Sequence, residues 1–171
     1  MSRKSEPFDQ VVASLNMVPV SISYEWDPCD GMKARELEQR ARTGSYVKEP
    51  GEDDRSIAMG LTGYKGRVRV AFGTPLRAGM ADARAVVAEV DRQVLGNYRL
   101  YPSNYLAFEQ QEDALPAALA DWREGFSALE LAQEQQRFSA RLDALPEALR
   151  PYWLLQYANP VRSRLRVMGE G

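Results

Sequence analysis

Two short stretches of alternating residues restrict the fold of this chain more than any other feature. Valine, isoleucine and tyrosine occupy every second position in residues 18–24, and valine and phenylalanine do so in residues 67–72. A period of two in runs rich in β-branched and aromatic residues is typical of β-strands. The sequence therefore predicts two strands. Pro19 suits a strand start or a sheet edge, and Gly73-Thr74-Pro75 ends the second strand.

The rest of the chain has apolar residues at helical spacing or consists of loops. The predicted helices cover residues 8–15, 27–42, 53–63, 82–96, 114–124, 128–144 and 146–160. Asp27 is the expected N-cap of the second helix, with Pro28 at its first position. Pro102 is expected to break an aromatic connector between helices, and Pro160 is expected to end the last helix.

A change from mixed strands and helices to helices alone marks a boundary near residues 75–79. We expect an α/β part in residues 1–78 and a helical C-terminal extension in residues 79–171. The predicted fold class is α/β, rich in helix, with two strands of a larger mixed sheet. Because two strands alone form a marginal sheet, we expect this chain to expose sheet faces and to be prone to aggregation.

Charge and cysteine content exclude several classes of protein. The net charge of −2 argues against nucleic acid as a partner, because such binding needs a basic surface. A single cysteine excludes an internal disulfide and fits a reducing compartment. No run of about 18 apolar residues suggests a transmembrane helix, and no apolar core follows Met1-Ser2-Arg3-Lys4 as in a signal peptide. A cytoplasmic location is therefore predicted.

Both strands also carry a resemblance to one enzyme family. Val18-Pro19-Val20-Ser21-Ile22 resembles the Val-Pro-Val strand of the glycerol-phosphate/lysophosphatidate acyltransferases. Residues 70–76, Val-Ala-Phe-Gly-Thr-Pro-Leu, resemble the later Val-x-Phe-Gly-x-Pro-Leu strand of the same family. Residues 23–30, 33–37 and 63–66 resemble a bacterial branch of it. The motif positions in the two strands are Val18, Pro19, Val20, Phe72, Gly73 and Pro75.

The resemblance implies a fold and an activity. The fold is the acyltransferase-type mixed sheet, of which this chain would supply two strands. The activity is transfer of an acyl chain from acyl-CoA or acyl carrier protein to glycerol phosphate or lysophosphatidate, in phospholipid biosynthesis. It implies a location in the cytoplasm or peripherally on the inner face of the cytoplasmic membrane. No cofactor and no metal is implied.

The chain departs from the family pattern at the catalytic residues. Family members carry a His-x-x-x-x-Asp pair, a basic block and a Glu-Gly block ahead of the Val-Pro-Val strand. Here 17 residues precede Val18, and the sequence contains no histidine. Acyl transfer to an alcohol needs a base, normally a histidine oriented by a carboxylate. We therefore expect the C-terminal part of such an enzyme, inactive alone and with no catalytic residue.

Three basic residues near the second strand are candidates for contact with a substrate phosphate. Lys65 lies between two glycines and suits either a phosphate contact or a plain turn. Arg67 and Arg69 face away from the apolar side of their strand. They either hold an anionic partner or are solvent charges that discourage strand addition.

Three further features have alternative explanations. Cys29 lies near a helix start, where a dipole lowers a thiol pKa, but a packed thiol is the simpler alternative. Glu52-Asp53-Asp54 suits a divalent cation or a solvated helix start, and we favour the latter. Residues 152–157, followed by arginines, suit a membrane interface or a helix that faces the core.

Three functional hypotheses follow. The first is the non-catalytic part of an acyltransferase. The second is a binding or regulatory module that docks on an acyltransferase, an acyl carrier or a membrane surface. The third, an unrelated scaffold, requires that the two strands do not share a sheet.

Overall fold

The computed structural model describes residues 7–112 and 115–169. In chain order the elements are α1 (Phe8–Ser14), β1 (Val20–Tyr24), α2 (Asp30–Thr43), α3 (Glu52–Thr62), β2 (Val68–Phe72), α4 (Ala83–Asn97), α5 (Pro102–Gln111), a 3₁₀ turn (Ala117–Arg123), α6 (Ala128–Asp143), a second 3₁₀ turn (Glu147–Leu149) and α7 (Arg150–Gly169). The prediction of a helix-rich chain with two strands is confirmed. None of the helices in the described ranges has the length and hydrophobicity needed to cross a bilayer.

Two compact units are present, and each draws on separate parts of the chain. Within the described ranges, the first unit contains residues 7–23, Arg69–Arg99 and residues 163–169. The second unit contains Tyr24–Val68 and Leu100–Arg162. The predicted boundary near residues 75–79 stays a prediction.

Strands β1 and β2 form a two-stranded antiparallel sheet. At one end the amide of Gly73 donates to the carbonyl of Pro19 over 2.8 Å. At the other end the amide of Glu25 donates to the carbonyl of Arg67 over 2.9 Å. This constant register places Ile22 opposite Val70. The two strands share one sheet. The unrelated-scaffold hypothesis required that they do not, so the structure does not support it.

One face of this sheet is covered and the other is open. In β1 the small polar residues Ser21 and Ser23 are buried. The alternate positions are exposed, with Ile22 at 49% and Phe72 at 74%. We call Val20, Ile22, Val70 and Phe72, all in the first unit, the exposed sheet face. The apolar side of both strands therefore meets solvent, as we expected of a chain with only two strands.

An aromatic cluster forms the centre of the second unit. The Trp153 side chain is 1% exposed. Its ring lies 4.5 Å from that of Tyr157, 5.3 Å from that of Phe138 and 6.3 Å from that of Trp26, between ring centroids. Residues 26, 138, 153 and 157 come from distant parts of the chain, so this cluster joins α6 and α7 to the segment that follows β1.

Two prolines differ from their predicted roles. Pro102 does not break a connector but occupies the first turn of α5, where its missing amide would have no intrahelical partner. Pro160 does not end a helix but lies within α7. Tyr157, Ala158 and Val161 are buried on either side of it. Their burial stabilises α7 against the roughly 3 kcal/mol that an interior proline costs.

Two predicted helix starts also need correction. Asp27 is not the N-cap of α2, because that position is Cys29. Asp27 instead accepts a hydrogen bond from the Cys29 amide over 2.8 Å. The helix expected over residues 114–124 is a 3₁₀ turn, Ala117–Arg123, and Ala114 lies outside the described residues.

Replacing Gly66 by alanine is expected to lower the free energy of unfolding by about 2–3 kcal/mol. Gly66 has φ of 64°, and a Cβ there would lie 2.5 Å from Glu25 Oε2 and 2.8 Å from Trp26 Cδ1. Gly44 is the matched control, because its φ is 77° and nothing lies within 4 Å of its added Cβ. We expect Gly44→Ala to cost about 1 kcal/mol, for backbone strain alone. Equal urea midpoints for the two variants would contradict the steric argument.

Candidate functional site

Lys65 lines a cavity of about 390 Å³ between α2 and α3 in the second unit. Its ammonium donates to the carbonyl of Gly63 over 3.1 Å and to that of Leu61 over 3.3 Å. These carbonyls belong to the C-terminal end of α3, where the helix dipole favours a cation. The turn that follows α3 therefore places the Lys65 ammonium at the C-terminal end of that helix.

The walls of this Lys65 cavity carry no excess of positive charge. Lys33 is paired with Asp27, and Lys48 with Asp53. The charged lining residues are Asp27, Lys33, Glu36, Lys48, Glu52, Asp53 and Lys65. Three cations against four anions leave a formal charge of −1, which does not favour a phosphate dianion. A phosphate contact at Lys65 stays a prediction.

The guanidinium of Arg67 is held by two buried carboxylates. Its Nε and Nη2 donate to both oxygens of Glu25 over 3.0 and 2.8 Å, and Nη2 also donates to Glu134 Oε1 over 3.0 Å. The backbone amide of Arg67 donates to Glu25 Oε2 as well, over 2.8 Å. Glu25 is 3% and Glu134 7% exposed. The positive charge of Arg67 is therefore paired with two carboxylates of the same unit.

Electrostatics at this network favour the charged arginine. Burial lowers the pKa of Arg67, but the hydrogen bond to Glu25 and the charges of Glu25 and Glu134 outweigh it and raise that pKa. The guanidinium also lies 5.5 Å from the centre of the Tyr101 ring, in cation–π range. A substrate phosphate could reach Nε and Nη2 of Arg67 only by displacing these carboxylates.

Arg69 has a different setting from the other two predicted residues. It belongs to the first unit, whereas Lys65 and Arg67 belong to the second. Its side chain is exposed, and within residues 7–112 and 115–169 it makes no ion pair. Arg69 is therefore the predicted basic residue whose charge is free for a ligand.

The glycine of the second motif has a packing role. A Cβ on Gly73 would lie 2.1 Å from Gln93 Oε1. That oxygen accepts from the amide of Thr74 over 2.7 Å, and the buried Gln93 also donates to Glu89 over 2.7 Å. Only glycine leaves room for this side chain, so the Phe-Gly-Thr-Pro sequence ends β2 against α4.

The acidic run at residues 52–54 forms the first turn of α3. Glu52 accepts a hydrogen bond from Tyr46 Oη and another from the Glu49 amide over 2.9 Å. Asp53 pairs with Lys48. No three metal-ligating side chains converge anywhere in the described ranges, so the geometry agrees with the solvated helix start.

Cys29 is a partly buried thiol. Its Sγ donates to the carbonyl of Ser56 over 3.4 Å. Burial first, and then the negative charge of Asp27, raise the pKa of the Cys29 thiol above its ordinary value. Because the thiolate is the reactive form, these surroundings make the residue a poor nucleophile, in agreement with the packed-thiol alternative.

Slow alkylation of Cys29 is the expected result. At pH 8 we expect iodoacetamide to react with Cys29 several-fold more slowly than with glutathione, because a raised pKa leaves less thiolate. Reaction should accelerate as the pH rises towards 10. Asp27→Asn removes a nearby negative charge and should increase the rate, whereas Asp54→Asn should not. A Cys29 rate equal to or above that of glutathione at pH 8 would show an activated thiol.

The aromatic segment of α7 faces the core. Trp153 and Tyr157 are buried in the second unit, so they are not presented to a membrane. Arg162 pairs with Glu112 over 2.8 Å in that unit. In the first unit, Arg164 donates to the carbonyls of Leu95, over 3.1 Å, and of Tyr98. These contacts favour the core-facing alternative for residues 152–157.

A polar cluster surrounds the Tyr157 hydroxyl, and no local sequence pattern indicates it. Its hydroxyl donates to Asp30 Oδ2 over 2.7 Å and accepts from the Asp27 amide over 2.9 Å. Burial, and next the charge of Asp30, raise the pKa of Tyr157 well above its usual range. Arg141 lies 3.6 Å from Asp30 and stacks 4.6 Å from the centre of the Trp26 ring. Tyr157 stays protonated and orients the start of α2.

No protein-family model, no curated protein and no solved structure matches this chain.

Proposed function

We propose that this chain supplies the C-terminal, non-catalytic part of a glycerolipid acyltransferase domain. The complete domain would transfer an acyl chain from acyl-CoA or acyl carrier protein to glycerol phosphate or lysophosphatidate. The two strands would then belong to an acyltransferase-type mixed sheet. Such an enzyme would work in the cytoplasm or peripherally at the inner face of its membrane.

A single observation carries this proposal: the strands with the family-like motifs pair, and their apolar face is uncovered. β1 begins just after Pro19 and β2 ends just before Gly73, and these two residues are hydrogen-bonded to each other. The exposed sheet face has the apolar, β-branched and aromatic composition of a buried surface. Further elements of a larger domain would remove this surface from water.

The catalytic base of the proposed domain would come from outside this chain. The acceptor hydroxyl must lose its proton to a base as its oxygen attacks the thioester carbonyl, and the thiolate then leaves. Histidine is absent from the sequence, Cys29 has a raised thiol pKa, and Tyr157 is held protonated. We therefore expect no turnover from this chain alone. Arg69, whose charge is free, is the residue best suited to the acceptor phosphate.

The first test is the encoding DNA together with an activity assay. We expect an in-frame sequence upstream of the Met1 codon that contains a His-x-x-x-x-Asp pair. The longer product should acylate lysophosphatidate with palmitoyl-CoA, and the present chain should not exceed a heat-denatured control. An upstream stop codon, or turnover by the present chain, would overturn the proposal.

The sheet face supplies a matched pair of variants in the longer product. Ile22→Glu places a charge on the exposed sheet face, where a covering element would have to bury it, and should reduce activity at least about 100-fold. Leu129→Glu changes a residue that is 69% exposed in the second unit and should leave activity within about 2-fold. Equal activities of the two variants would show that nothing covers this face.

The second candidate is a module that docks on an acyltransferase, an acyl carrier or a membrane surface without chemistry of its own. The same uncovered sheet face favours it. A ribosome-binding site directly before Met1 and a stop codon behind it would support this candidate over the first. Co-sedimentation with anionic vesicles would then separate a membrane surface from a protein partner.

A further inference from the structure

A second cleft in the second unit has no role in the proposal above. It has a volume of about 400 Å³, within the range typical of small-molecule sites. Met32 and Arg35 of α2 line one wall, and Arg55 and Met59 of α3 line another. The loop between the two helices closes the cleft with Tyr46 and neighbouring residues. We call it the Arg35 cleft.

Internal hydrogen bonds hold the loop of this cleft. Both oxygens of Glu52 are used, because one accepts from Tyr46 Oη and the other from the Glu49 amide. The guanidinium of Arg55 donates to Glu49 Oε2 over 3.2 Å and to the carbonyl of Pro50 over 3.3 Å. The hydrogen bond from the Tyr46 hydroxyl to Glu52 raises the pKa of Tyr46 to about 12, so the phenol is neutral at physiological pH. The charged groups of Arg55, Glu49 and Glu52 are therefore already engaged in contacts within the wall of the cleft.

Arg35 is the exception among the charged residues of the cleft. Its side chain is exposed, and it makes no hydrogen bond or ion pair in the described part of the chain. Its guanidinium can therefore bind a carboxylate through two parallel hydrogen bonds. Met32 and Met59 offer adaptable apolar contact next to it, and Val47 adds a third apolar side chain.

The net charge of the cleft wall determines which class of anion the cleft favours. The wall contributes two cations, Arg35 and Arg55, against two carboxylates, Glu49 and Glu52, for a formal charge of zero. A monoanion adds one negative charge near these carboxylates, whereas a phosphate monoester adds about two. Because like charges repel strongly in a partly enclosed site, the monoanion is preferred.

We propose that the Arg35 cleft binds a monocarboxylate with an apolar tail. The carboxylate pairs with the Arg35 guanidinium, and the tail lies along Met32, Met59 and Val47. This assignment rests on the second unit alone and is independent of the acyltransferase proposal.

Calorimetric titration of the full chain with octanoate tests the assignment. We expect saturable binding at one site, with a dissociation constant below about 1 mM. Arg35→Ala should weaken binding at least about 10-fold, the loss expected for a charge-assisted contact. Arg42→Ala removes the same charge from the same helix, at a residue paired with Glu38 outside the cleft, and should bind as the parent does.

Ligand variants separate the chemical classes. Octanol keeps the tail without the charge and should bind at least about 10-fold more weakly than octanoate. Octyl phosphate should also bind more weakly, because of Glu49 and Glu52. Absence of saturable octanoate binding, equal weakening by Arg35→Ala and Arg42→Ala, or tighter binding of octyl phosphate or octanol would each overturn the proposal. Circular dichroism of each variant verifies that the fold is intact.

Discussion

Replacing Arg67 by methionine should lower the free energy of unfolding by about 3 kcal/mol, near the low end of the range measured when one partner of a buried ion pair is removed. The variant leaves the buried Glu25 without its cation, and leaves Glu134 with Arg137 alone, 3.7 Å away. The low end applies because the Arg67 side chain is itself 46% exposed, so water partly replaces it. The free energy of unfolding, from urea denaturation followed by circular dichroism, gives the effect.

Arg69→Met is the control for the Arg67 variant. It removes the same charge two residues further along the chain, at an exposed residue without an ion pair in the described ranges, and should change stability by no more than about 0.5 kcal/mol. Adding Glu25→Gln and Glu134→Gln to Arg67→Met should restore part of the loss, because neutral amides are less costly to bury than carboxylates that have lost this cation. Equal effects of Arg67→Met and Arg69→Met would contradict the structural role of Arg67.

Replacing Trp153 by alanine should lower the free energy of unfolding by about 3–5 kcal/mol, the usual cost of removing a large aromatic side chain from a core. Three aromatic rings lie around Trp153, and the variant would leave a cavity between them. Thermal and urea unfolding of the parent and the variant measure the difference.

Leu155 provides the control for the Trp153 variant. It lies in the same helix but is 36% exposed, so Leu155→Ala should cost about 1 kcal/mol or less. Trp153→Phe should recover part of the stability, since it restores an aromatic ring of smaller volume. A loss in Trp153→Ala no larger than that in Leu155→Ala would mean that residues 152–157 do not form the core of the second unit, and would revive the membrane-interface alternative.

Local patterns predicted most of the secondary structure. The alternation in residues 18–24 and 67–72 predicted both strands, and helical spacing predicted α1, α3, α4 and α6 within a few residues. Both signals depend on neighbours a few positions apart along the chain. The two prolines were misjudged because a proline suits the start of a helix as well as its end. The burial of the residues around Pro160 also depends on contacts with residues that are distant in the chain.

Candidate site residues were less accessible to sequence analysis. Lys65, Arg67 and Arg69 were selected by residue type, which carries no information about partners. Glu25 and Glu134 lie 42 and 67 residues from Arg67 along the chain, and no local pattern connects them. The Arg35 cleft was not predicted either, because it depends on how α2, α3 and their loop pack.

The sequence by itself determined which residues alternate in the two strands, where most helices begin, and the absence of a histidine base. Only the tertiary structure decided which face of the sheet is covered, which arginine is neutralised by buried carboxylates and which is free. The physical reason is that secondary structure follows from short-range periodicity and capping. Burial and ion pairing depend on residues that are distant in the chain and close only after folding.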